Sequence, residues 1–474
     1  MSGSHIIETL FLRNVMFEST LFDQSLYQFG NKQPSWWEAS VAGTGTVLGE
    51  TLNADAVCDI AIIGGGYTGL SAAYHLARDF DADVRVLEAG HIGWGASGRN
   101  GGFCCMGGTM LGADGLVRKF GLEETQKYYK AQMEAVELVQ AIATAEDIDF
   151  EKQGDCELVV AEKPSHYEAL REECEFKVSK LGLPSRMISK EAFSEIGYDA
   201  PHQHGAFAEA PGFGLNPLKY CLGLGSAAEK AGAKLHPHCE VTSWEKEGDQ
   251  HVLRLSNHRA IRAKRVIVAC NGFMPEHLHK GLRSRALPLQ SQIIVTRPLS
   301  DDEIAAHNWV TESPAVNSRN VYFYYRMLPN RRFLIGGRGD FRGSLEGAEL
   351  TAETLRQSMV ELWPEWHSVE IEYSWRGFVC FTADFRPSVG RMEDDPSIYF
   401  GFGYHGNGVN NATWIGRELA RWLATGNDTS NPVPTHLPAV IHGMTRKIPF
   451  GRLRPYYARA GVGWHRFKDW IDGV

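Results

Sequence analysis

The chain has 474 residues, 43% hydrophobic and 22% charged, which is typical of a soluble globular protein long enough for two associated domains. Its formal net charge of −9 argues against a nucleic-acid partner, and no stretch is apolar and long enough for a transmembrane span. The nine cysteines are scattered without disulfide or zinc spacing, so we expect reduced thiols, a cytoplasmic protein and no metal site. The lack of an apolar span leads us to expect no membrane partner.

The first 56 residues are polar, with scattered aromatic side chains and little periodicity. We therefore expect an extension here rather than a domain. Within it, the run Pro34-Ser35-Trp36-Trp37 is predicted to dock onto the body of the protein.

A dinucleotide-binding fingerprint follows. The apolar run Val57–Ile63 predicts a buried strand that leads into a glycine turn, and Leu70–Ala77 is prone to form a helix. In such a turn, Gly64 permits the tight bend, Gly66 lets the backbone approach a pyrophosphate, and Gly69 lets the helix pack closely on the strand. The N-terminus of the helix then faces the phosphates. The predicted contacts are Gly64, Gly66, Tyr67, Thr68 and Gly69.

A second strand and a loop of small residues extend this pattern. The strand Val84–Leu87 ends in Glu88, at the distance expected for an acid that binds a ribose 2′-hydroxyl. The run Gly95–Gly102 lets backbone lie against a flat or anionic ligand, and Arg99 can offset pyrophosphate charge. The predicted contacts here are Glu88, Ala89, Gly95, Ala96, Ser97, Arg99, Asn100 and Gly101.

The central region alternates helices with strands. Helices are predicted over Leu122–Glu146, His166–Leu181 and Asn216–Gly232, and strands over Asp155–Glu162, as a pair within Lys234–Ser256, and over Ala263–Cys270. The last of these strands is apolar throughout, as in a parallel sheet. Val241 and Gly272 are two further predicted cofactor contacts.

The pattern then changes to aromatic or alternating strands joined by short turns, which predicts an antiparallel sheet. Its elements are strands over Leu289–Pro298, Val321–Leu328, Arg332–Gly336 and Val369–Trp375 and a helix over Ala352–Trp363. On the second strand, Tyr322, Tyr324 and Arg326 alternate onto one face. An arginine framed by two tyrosines suits a substrate carboxylate, through bidentate hydrogen bonds. The alternative is that Arg326 pairs with a structural acid.

Near the C-terminus, the strand Ile398–Gly403 leads into the loop Gly401–Gly408 and the helix Asn410–Ala424. The loop matches the dinucleotide pattern by its letters, but no second strand ending in an acid follows, so we expect only one nucleotide. We predict instead that the loop wraps a ring system and aims the helix N-terminus at the negative edge of a reduced flavin. The predicted site residues here are Gly403, His405, Gly406, Asn407, Gly408 and Val409.

Together these motifs resemble the FAD-dependent D-amino-acid-oxidase superfamily, which includes glycine oxidase and monomeric sarcosine oxidase, from about Ser35 to the C-terminus. Within it, the chain particularly resembles the gamma-glutamylputrescine oxidases. The resemblance rests on GGGYTGLSAAYHLA, IGWGASGRNGG, Asn216-Pro217, Tyr324-Tyr325-Arg326, GFGYHGNGV and an aromatic, basic tail near Arg452–Tyr457. His405 and Asn407 stand where such relatives usually carry serine and histidine. No cysteine matches one that attaches flavin, and a buried, inert Cys380 is expected, so the resemblance implies non-covalent FAD.

The pattern of elements predicts a mixed α/β (α+β) fold, in which a Rossmann-like FAD-binding domain with a parallel sheet is interrupted by an antiparallel-sheet substrate domain. We expect the FAD-binding domain to be discontinuous. The predicted segments are an extension over 1–56, the FAD-binding domain over 57–150, 205–285 and 376–440, the substrate domain over 151–204 and 286–375, and a tail over 441–474.

The resemblance implies oxidation of a C–N bond in a small amine that bears a carboxylate, such as gamma-glutamylputrescine, another amino acid or an N-alkyl amine. A hydride passes to flavin N5, the imine hydrolyses to an aldehyde, and dioxygen regenerates the flavin and yields hydrogen peroxide. Deprotonating an alkylamine of pKa ~10 costs roughly 4 kcal/mol at neutral pH, and burial lowers that cost, so no strong general base is required. Tyr322, Tyr324 and Arg326 are expected to orient the substrate, and His405 to polarise the flavin edge or the peroxide precursor.

Three alternatives remain open on the sequence alone. The same fold can serve an amine dehydrogenase that passes electrons to a quinone or a flavoprotein. An NAD-linked dehydrogenase also uses a dinucleotide fingerprint. The third alternative is a non-catalytic FAD-binding protein that acts as a redox sensor or scaffold.

Overall fold

A computed structural model describes residues 21–425 and 433–472, apart from the side chain of Asp472. The α-helices in these ranges are α1 (Trp36–Ser40), α2 (Tyr67–Phe80), α3 (Gly112–Phe120), α4 (Leu122–Ala145), α5 (Pro164–Leu181), α6 (Lys190–Ile196), α7 (Pro217–Lys230), α8 (Asp301–Ala305), α9 (Leu345–Leu362), α10 (Gly408–Thr425) and α11 (Arg454–Asp472). The strands are β1 (Ala56–Ile63), β2 (Val84–Leu87), β3 (Phe103–Cys105), β4 (Glu157–Val160), β5 (Arg186–Ile188), β6 (Ala206–Glu209), β7 (Gly212–Gly214), β8 (Lys234–His236), β9 (Val241–Glu247), β10 (Gln250–Leu255), β11 (Ala260–Val268), β12 (Ala286–Pro298), β13 (Ala315–Asn317), β14 (Tyr324–Met327), β15 (Arg332–Arg338), β16 (Ile371–Thr382), β17 (Ser388–Arg391) and β18 (Ile398–Phe402).

The first sheet has a parallel core. Its main strand order is β17-β18-β11-β1-β2-β8, and every neighbouring pair from β18 to β8 is parallel. β17 pairs antiparallel with β18, and the antiparallel strands β9 and β10 continue from β11. The apolar runs in β1 and β11 are buried because helices cover one face of the sheet and residues of β9 and β10 pack on the other. The predicted Rossmann-like core is therefore confirmed.

The second sheet is almost wholly antiparallel. Its order is β16-β12-β15-β14-β13-β4-β6-β5, and only β13 and β4 run parallel to each other. Its strands fall in residues 157–209 and 286–382, between the segments that build the first sheet. The mixed fold predicted from the sequence, in which an antiparallel sheet interrupts a parallel one, is therefore confirmed. β3 and β7 form a separate two-stranded sheet.

Several predicted limits differ from the observed ones. β6 pairs with β4 and β5 in the second sheet, although residues 205–285 were expected to belong to the first. β16 runs to Thr382, past the boundary expected at residue 375, because it pairs with β12 along almost its whole length. The strand expected to start at Val321 starts at Tyr324, so Tyr322 lies in the connection before it.

Two helices pack closely enough to bring the phosphate turn and the late loop together. A Cβ atom on Gly69 of α2 would lie 2.0 Å from the carbonyl oxygen of Gly64, and one on Gly416 of α10 would lie 2.5 Å from that of Thr68. Glycine is required at such positions because backbone meets backbone directly. Tyr404 and Thr68 share a side-chain hydrogen bond of 2.6 Å that ties the late loop to α2.

The N-terminal extension docks as predicted over its described part, and residues 1–20 lie outside the described ranges. Trp37 is fully buried, and its indole N–H donates to the carbonyl oxygen of Asn100 at 2.9 Å. Its side chain packs with those of Leu218 and Trp375 in one apolar cluster. None of the helices in the described ranges combines the length and the apolar character that a membrane crossing requires.

Candidate functional site

A cavity of about 1250 Å³ is lined by residues of both large sheets. This volume exceeds that of a typical small-molecule pocket, so a dinucleotide and a substrate can occupy it together. The predicted site residues that line it are Gly64, Gly66, Tyr67, Thr68, Glu88, Ala89, Gly95, Ala96, Ser97, Arg99, Asn100, Gly101, Val241, Gly272, Tyr322, Tyr324, His405, Gly406, Asn407, Gly408 and Val409. Gly69, Gly403 and Arg326 do not line it.

At one end, the glycine turn lies against the small-residue loop. Gly64 has φ +113°, a conformation open to glycine, and a Cβ on Gly66 would lie 2.7 Å from Ser97 Oγ. Ser97 Oγ in turn accepts a hydrogen bond from the Tyr67 backbone N–H at 2.9 Å. The N-terminus of α2 therefore opens onto the cavity, with room for phosphate against bare backbone. Gly69 serves the packing of α2 rather than the cavity surface.

Glu88 lies at the carboxyl end of β2, where the fingerprint expects an acid. Its carboxylate accepts hydrogen bonds from the backbone N–H groups of Gly65 at 2.7 Å and Gly90 at 2.9 Å. Burial raises the pKa of this carboxyl group. The group is thus held at the wall of the cavity, at the end of β2 where the fingerprint expects the acid that binds a ribose.

Arg99 brings positive charge to the same end. Its Nε–H donates to the carbonyl oxygen of Trp94 at 2.7 Å, and its guanidinium lies 3.9 Å over the Trp94 ring. Burial lowers its pKa to about 10, so the group stays charged at neutral pH. Its Nη2 is buried without a hydrogen-bond partner among the described residues. A buried charged donor of this kind calls for an anionic ligand.

The late loop and the N-terminus of α10 form the other end of the cofactor region. The backbone N–H of His405 donates to Cys380 O at 3.1 Å, and that of Gly403 donates to Asn271 Oδ1 at 2.9 Å. Gly403 shapes the loop from behind, since a Cβ there would lie 2.3 Å from Thr382 Cγ2. The amide of Asn407 donates to the carbonyl oxygen of Met106.

His405 is neutral in this setting. Burial lowers its pKa to about 4, Nε2 bonds Thr382 Oγ1 at 3.3 Å, and Nδ1 is buried without a partner among the described residues. Its ring lies at 89° to that of Phe381, with the ring centroids 5.0 Å apart. The side chain therefore presents an uncharged imidazole at the cavity wall.

Arg326 does not fit the substrate role expected of it. Its Nε–H donates to Gly101 O at 3.1 Å, Nη1 to Gln153 Oε1 at 3.0 Å, and Nη2 to Leu215 O at 2.5 Å. Only 1% of the residue is exposed, and burial lowers its pKa to about 10. Each of its three nitrogens already donates to an oxygen of another chain segment, and the side chain does not line the cavity, so the guanidinium is not presented to a substrate carboxylate. Nor does Arg326 form an ion pair with an acid within the described ranges, which was the alternative.

A different arginine occupies the expected setting. Arg338 ends β15, lines the cavity, and stands two residues beyond Gly336, which pairs with Tyr324 on β14. Tyr322 and Tyr324 both lie near enough to Arg338 to act electrostatically on its charge. Burial lowers its pKa, its Nε is buried without a partner, and no acidic group within 4 Å pairs with it among the described residues. The two tyrosines thus frame Arg338 instead of Arg326.

Glu157 is a second cavity residue that the sequence reading missed. It opens β4 and lines the cavity. Burial and the neighbouring charge of Glu209 raise its pKa to about 8. No salt bridge holds it in the described part of the chain. A carboxyl group that titrates near neutral pH is suited to exchange a proton with a bound amine. The sequence signal was a lone acid at the start of an otherwise apolar strand.

The two termini also contribute to the cavity wall. Tyr27 and Phe29 of the extension line it beside Phe273, and Val462 and His465 of α11 line the substrate side. Neither contribution follows from a motif, because each depends on how distant segments fold back over the sheets.

These residues fit FAD. An unpartnered buried cation and an acid lie where its diphosphate and ribose are expected, and two helix N-termini open onto the same cavity. Cys380 lines the cavity, but burial raises the pKa of its thiol to about 12, so it offers no thiolate for covalent attachment.

The chain is similar in sequence and fold to several known proteins. Residues 59–422 match the family model of the FAD dependent oxidoreductase (DAO) family. The chain is 30% identical over 421 residues to gamma-glutamylputrescine oxidoreductase of Escherichia coli (strain K12), covering 86% of this chain and 93% of that protein. Among solved structures, glycine oxidase from Geobacillus kaustophilus aligns with TM-score 0.64 at 20% identity, covering 83% and 99% of the two chains. L-alpha-glycerophosphate oxidase from Mycoplasma pneumoniae with FAD bound aligns with TM-score 0.62 at 18% identity, covering 80% and 97%.

Proposed function

Because the chain belongs to the DAO family of FAD-dependent oxidoreductases, we propose that it oxidises a C–N bond in a carboxylate-bearing amine of the gamma-glutamylputrescine type, with dioxygen as acceptor. The observation that carries this proposal is Arg338, a half-buried cation on the cavity wall that lies near Tyr322 and Tyr324, with its Nε buried and no ion pair among the described residues. The sequence relative named for gamma-glutamylputrescine supports the choice of amine.

When bound, FAD supplies the chemistry by taking a hydride at N5 from the carbon beside the amine nitrogen and passing electrons to dioxygen. The substrate must therefore be held by a group remote from that carbon. Arg338 provides a planar pair of donors for a carboxylate. Its position at the end of β15 sets the distance that the substrate must span between its carboxylate and the reacting carbon.

The tyrosines and Glu157 favour the deprotonated form of the substrate amine. Tyr324, whose hydroxyl shares a hydrogen bond of 2.8 Å with Ser291 Oγ, is held rigidly against the cavity. Aromatic walls disfavour the ammonium form of the substrate. Glu157, with its pKa near 8, takes up the proton that the ammonium releases when its carboxyl group is ionised, and the ionised fraction grows as pH rises through about 8. The amine then enters the reaction with a free lone pair.

The late loop acts on the cofactor end. The N-terminus of α10 at Gly408 places unsatisfied backbone N–H groups against the cavity, where they stabilise negative charge on the bound ring system. His405 adds a neutral hydrogen-bonding group there rather than a second cation.

The test is an anaerobic screen in which the FAD-loaded enzyme is mixed with amines and the loss of oxidised-flavin absorbance is followed. We expect rapid reduction by a gamma-glutamylated diamine or another carboxylate-bearing amine. Arg338→Met is expected to raise the concentration for half-maximal reduction about 100-fold for these amines, since a charge-assisted bidentate pair is lost. Simple alkylamines are expected to change little.

Arg342→Met is the matched control, because Arg342 is exposed on the following turn and does not line the cavity. Equal losses for both classes of amine in Arg338→Met would remove the carboxylate role. In air, one hydrogen peroxide per amine oxidised is expected. Turnover without peroxide would point to a quinone or flavoprotein acceptor.

A further inference from the structure

The C-terminal helix α11 carries a continuous exposed aromatic face. Its large apolar residues that face solvent are Tyr456, Tyr457, Trp464, Phe467, Trp470 and Ile471. Trp470 is 73% exposed and Trp464 57% exposed, whereas most tryptophans elsewhere in the described chain are buried. Trp464, Phe467 and Trp470 form a row with ring centroids 6.0 and 5.9 Å apart. We call these six residues the outer face of α11.

The outer face lies opposite the side that holds α11 to the protein. Arg454, Ala458, Val462 and Asp469 are buried, and at 3.6 residues per turn they share one side of the helix. The outer face covers roughly 140° of the circumference on the other side. The protein itself covers the inner side of α11 and leaves the aromatic, apolar stripe of the outer face uncovered.

The inner side is fixed firmly. The Asp469 carboxylate accepts hydrogen bonds from the Asn320 backbone and amide N–H groups at 2.8 and 2.7 Å and from the Val321 N–H at 3.0 Å. At the other end, Arg454 pairs with Glu276 at 2.9 Å. The orientation of α11, and therefore of its outer face, is set by the fold.

Positive charge borders the outer face. In the helical projection Arg459 and Arg466 flank it on one edge and Lys468 on the other, and none of the three forms an ion pair in the described part of the chain. Between residues 441 and 472 the chain has seven lysines and arginines and two acids, Asp472 at the end of α11 and Asp469, which is buried. The outer face therefore has cations at its edges and no acid among its own residues, although the chain as a whole has a formal net charge of −9.

We propose that the outer face of α11 docks on an anionic phospholipid bilayer. Tryptophan and tyrosine prefer the level of the lipid headgroups, and an amphipathic helix with cations beside an aromatic face lies in that plane. Lysine and arginine at its edges attract anionic headgroups, while the acidic remainder of the chain is repelled, so one orientation is selected.

A second copy of the chain suits this face less well. In a two-fold symmetric pair the same patch meets itself, and the three cations of one copy would face those of the other. An anionic surface complements the patch, and a copy of the patch does not.

The experiment is co-sedimentation of the full-length, FAD-loaded protein with vesicles of phosphatidylcholine alone or of phosphatidylcholine mixed with phosphatidylglycerol. We expect binding to the mixed vesicles at low salt, little binding to phosphatidylcholine, and release at high salt. Trp464→Ser with Trp470→Ser, and separately Arg459→Glu with Lys468→Glu, are each expected to lower the partition coefficient about tenfold or more.

Leu345→Ser with Leu350→Ser is the matched control, since it removes two residues of α9 that are 66% and 65% exposed. It is expected to bind as the native protein does. Flavin content and thermal unfolding show that each variant is folded. The proposal is overturned if native protein ignores mixed vesicles, or if the control and the tryptophan variant bind equally. It is also overturned if sedimentation velocity finds a native dimer that the tryptophan variant dissociates, because the face then joins two copies.

Discussion

Arg326 and Arg338 lie twelve residues apart and have opposite surroundings. Alternation along a predicted strand favoured Arg326 for the substrate, since it shares a face with Tyr324. The guanidinium nevertheless turns toward Gly101, Gln153 and Leu215, which belong to segments far away in the chain. Alternation predicts the side of a sheet to which a residue points, but not the segment that covers it.

Arg326→Ala is expected to lower the free energy of unfolding by about 3 kcal/mol, because two buried carbonyl oxygens and an amide lose their donor. Denaturant titration of the FAD-loaded protein measures this. Arg338→Ala supplies the reciprocal comparison, with a small loss of stability and a large loss of affinity for carboxylate-bearing amines. If Arg326→Ala kept native stability and lost only substrate affinity, the assignments of the two arginines would have to be exchanged.

Glu157 gives a second prediction at this scale. Glu157→Gln is expected to lower kcat/KM for amines about 100-fold and to remove an inflection near pH 8 from its pH profile, since the group that takes up the amine proton is lost. Glu240→Gln is the control, because Glu240 also lines the cavity and burial also raises its pKa. An inflection that persists in Glu157→Gln would assign it to another group.

Among the elements, the sequence predicted those whose signals are local. The fingerprint strand, its helix and the late strand–loop–helix unit are specified by apolar runs and glycines within about twenty residues, and all are present. The start of β14 depends instead on Asp469. The backbone N–H groups of Asn320 and Val321 donate to its carboxylate and not to a neighbouring strand. No pattern near residue 321 reveals a partner so far along the chain.

Asp469→Ala tests this dependence. Loss of three hydrogen bonds is expected to speed amide hydrogen exchange in α11 and in residues 318–323, while exchange in β1 and α2 stays unchanged. Mass-resolved peptides report the two regions separately. Asp301→Ala removes an exposed ion pair with Arg331 and serves as the control. Unchanged exchange in α11 would mean that its inner apolar contacts suffice to hold it.

At the scale of the whole molecule, the cavity combines residues from the extension, the first sheet, the second sheet and α11. The cofactor half of this assembly was predictable because one contiguous motif sets up most of it. The substrate half was predicted less well, since Arg338, Glu157 and His465 meet only after the two sheets and the tail have packed. Specificity is therefore encoded in tertiary packing, whereas cofactor binding is encoded locally.

Acid stability also belongs to the whole molecule. Burial lowers the pKa of His75, His251 and His405 to about 4 each. Between the ordinary histidine value near 6.5 and pH 4, the unfolded chain binds protons that the folded chain does not, so stability falls as pH falls through this window. Each histidine contributes up to about 3 kcal/mol to that loss. Glu157 acts in the opposite sense because its pKa is raised in the folded protein. Its contribution to the free energy of unfolding is greatest below about pH 4.5 and is lost as pH rises through about 8.

Denaturant titrations of the FAD-loaded protein across this range are therefore expected to show unfolding free energy decreasing below pH 6.5. His251→Gln isolates one contribution, since His251 is buried outside the cavity and bonds Ser397 Oγ at 2.8 Å. That variant should be less stable at pH 7 and lose less stability than the native protein between pH 6.5 and 4. Were both proteins to follow the same slope, carboxylates rather than buried histidines would control the acid limit, because a neutral glutamine cannot take up the proton.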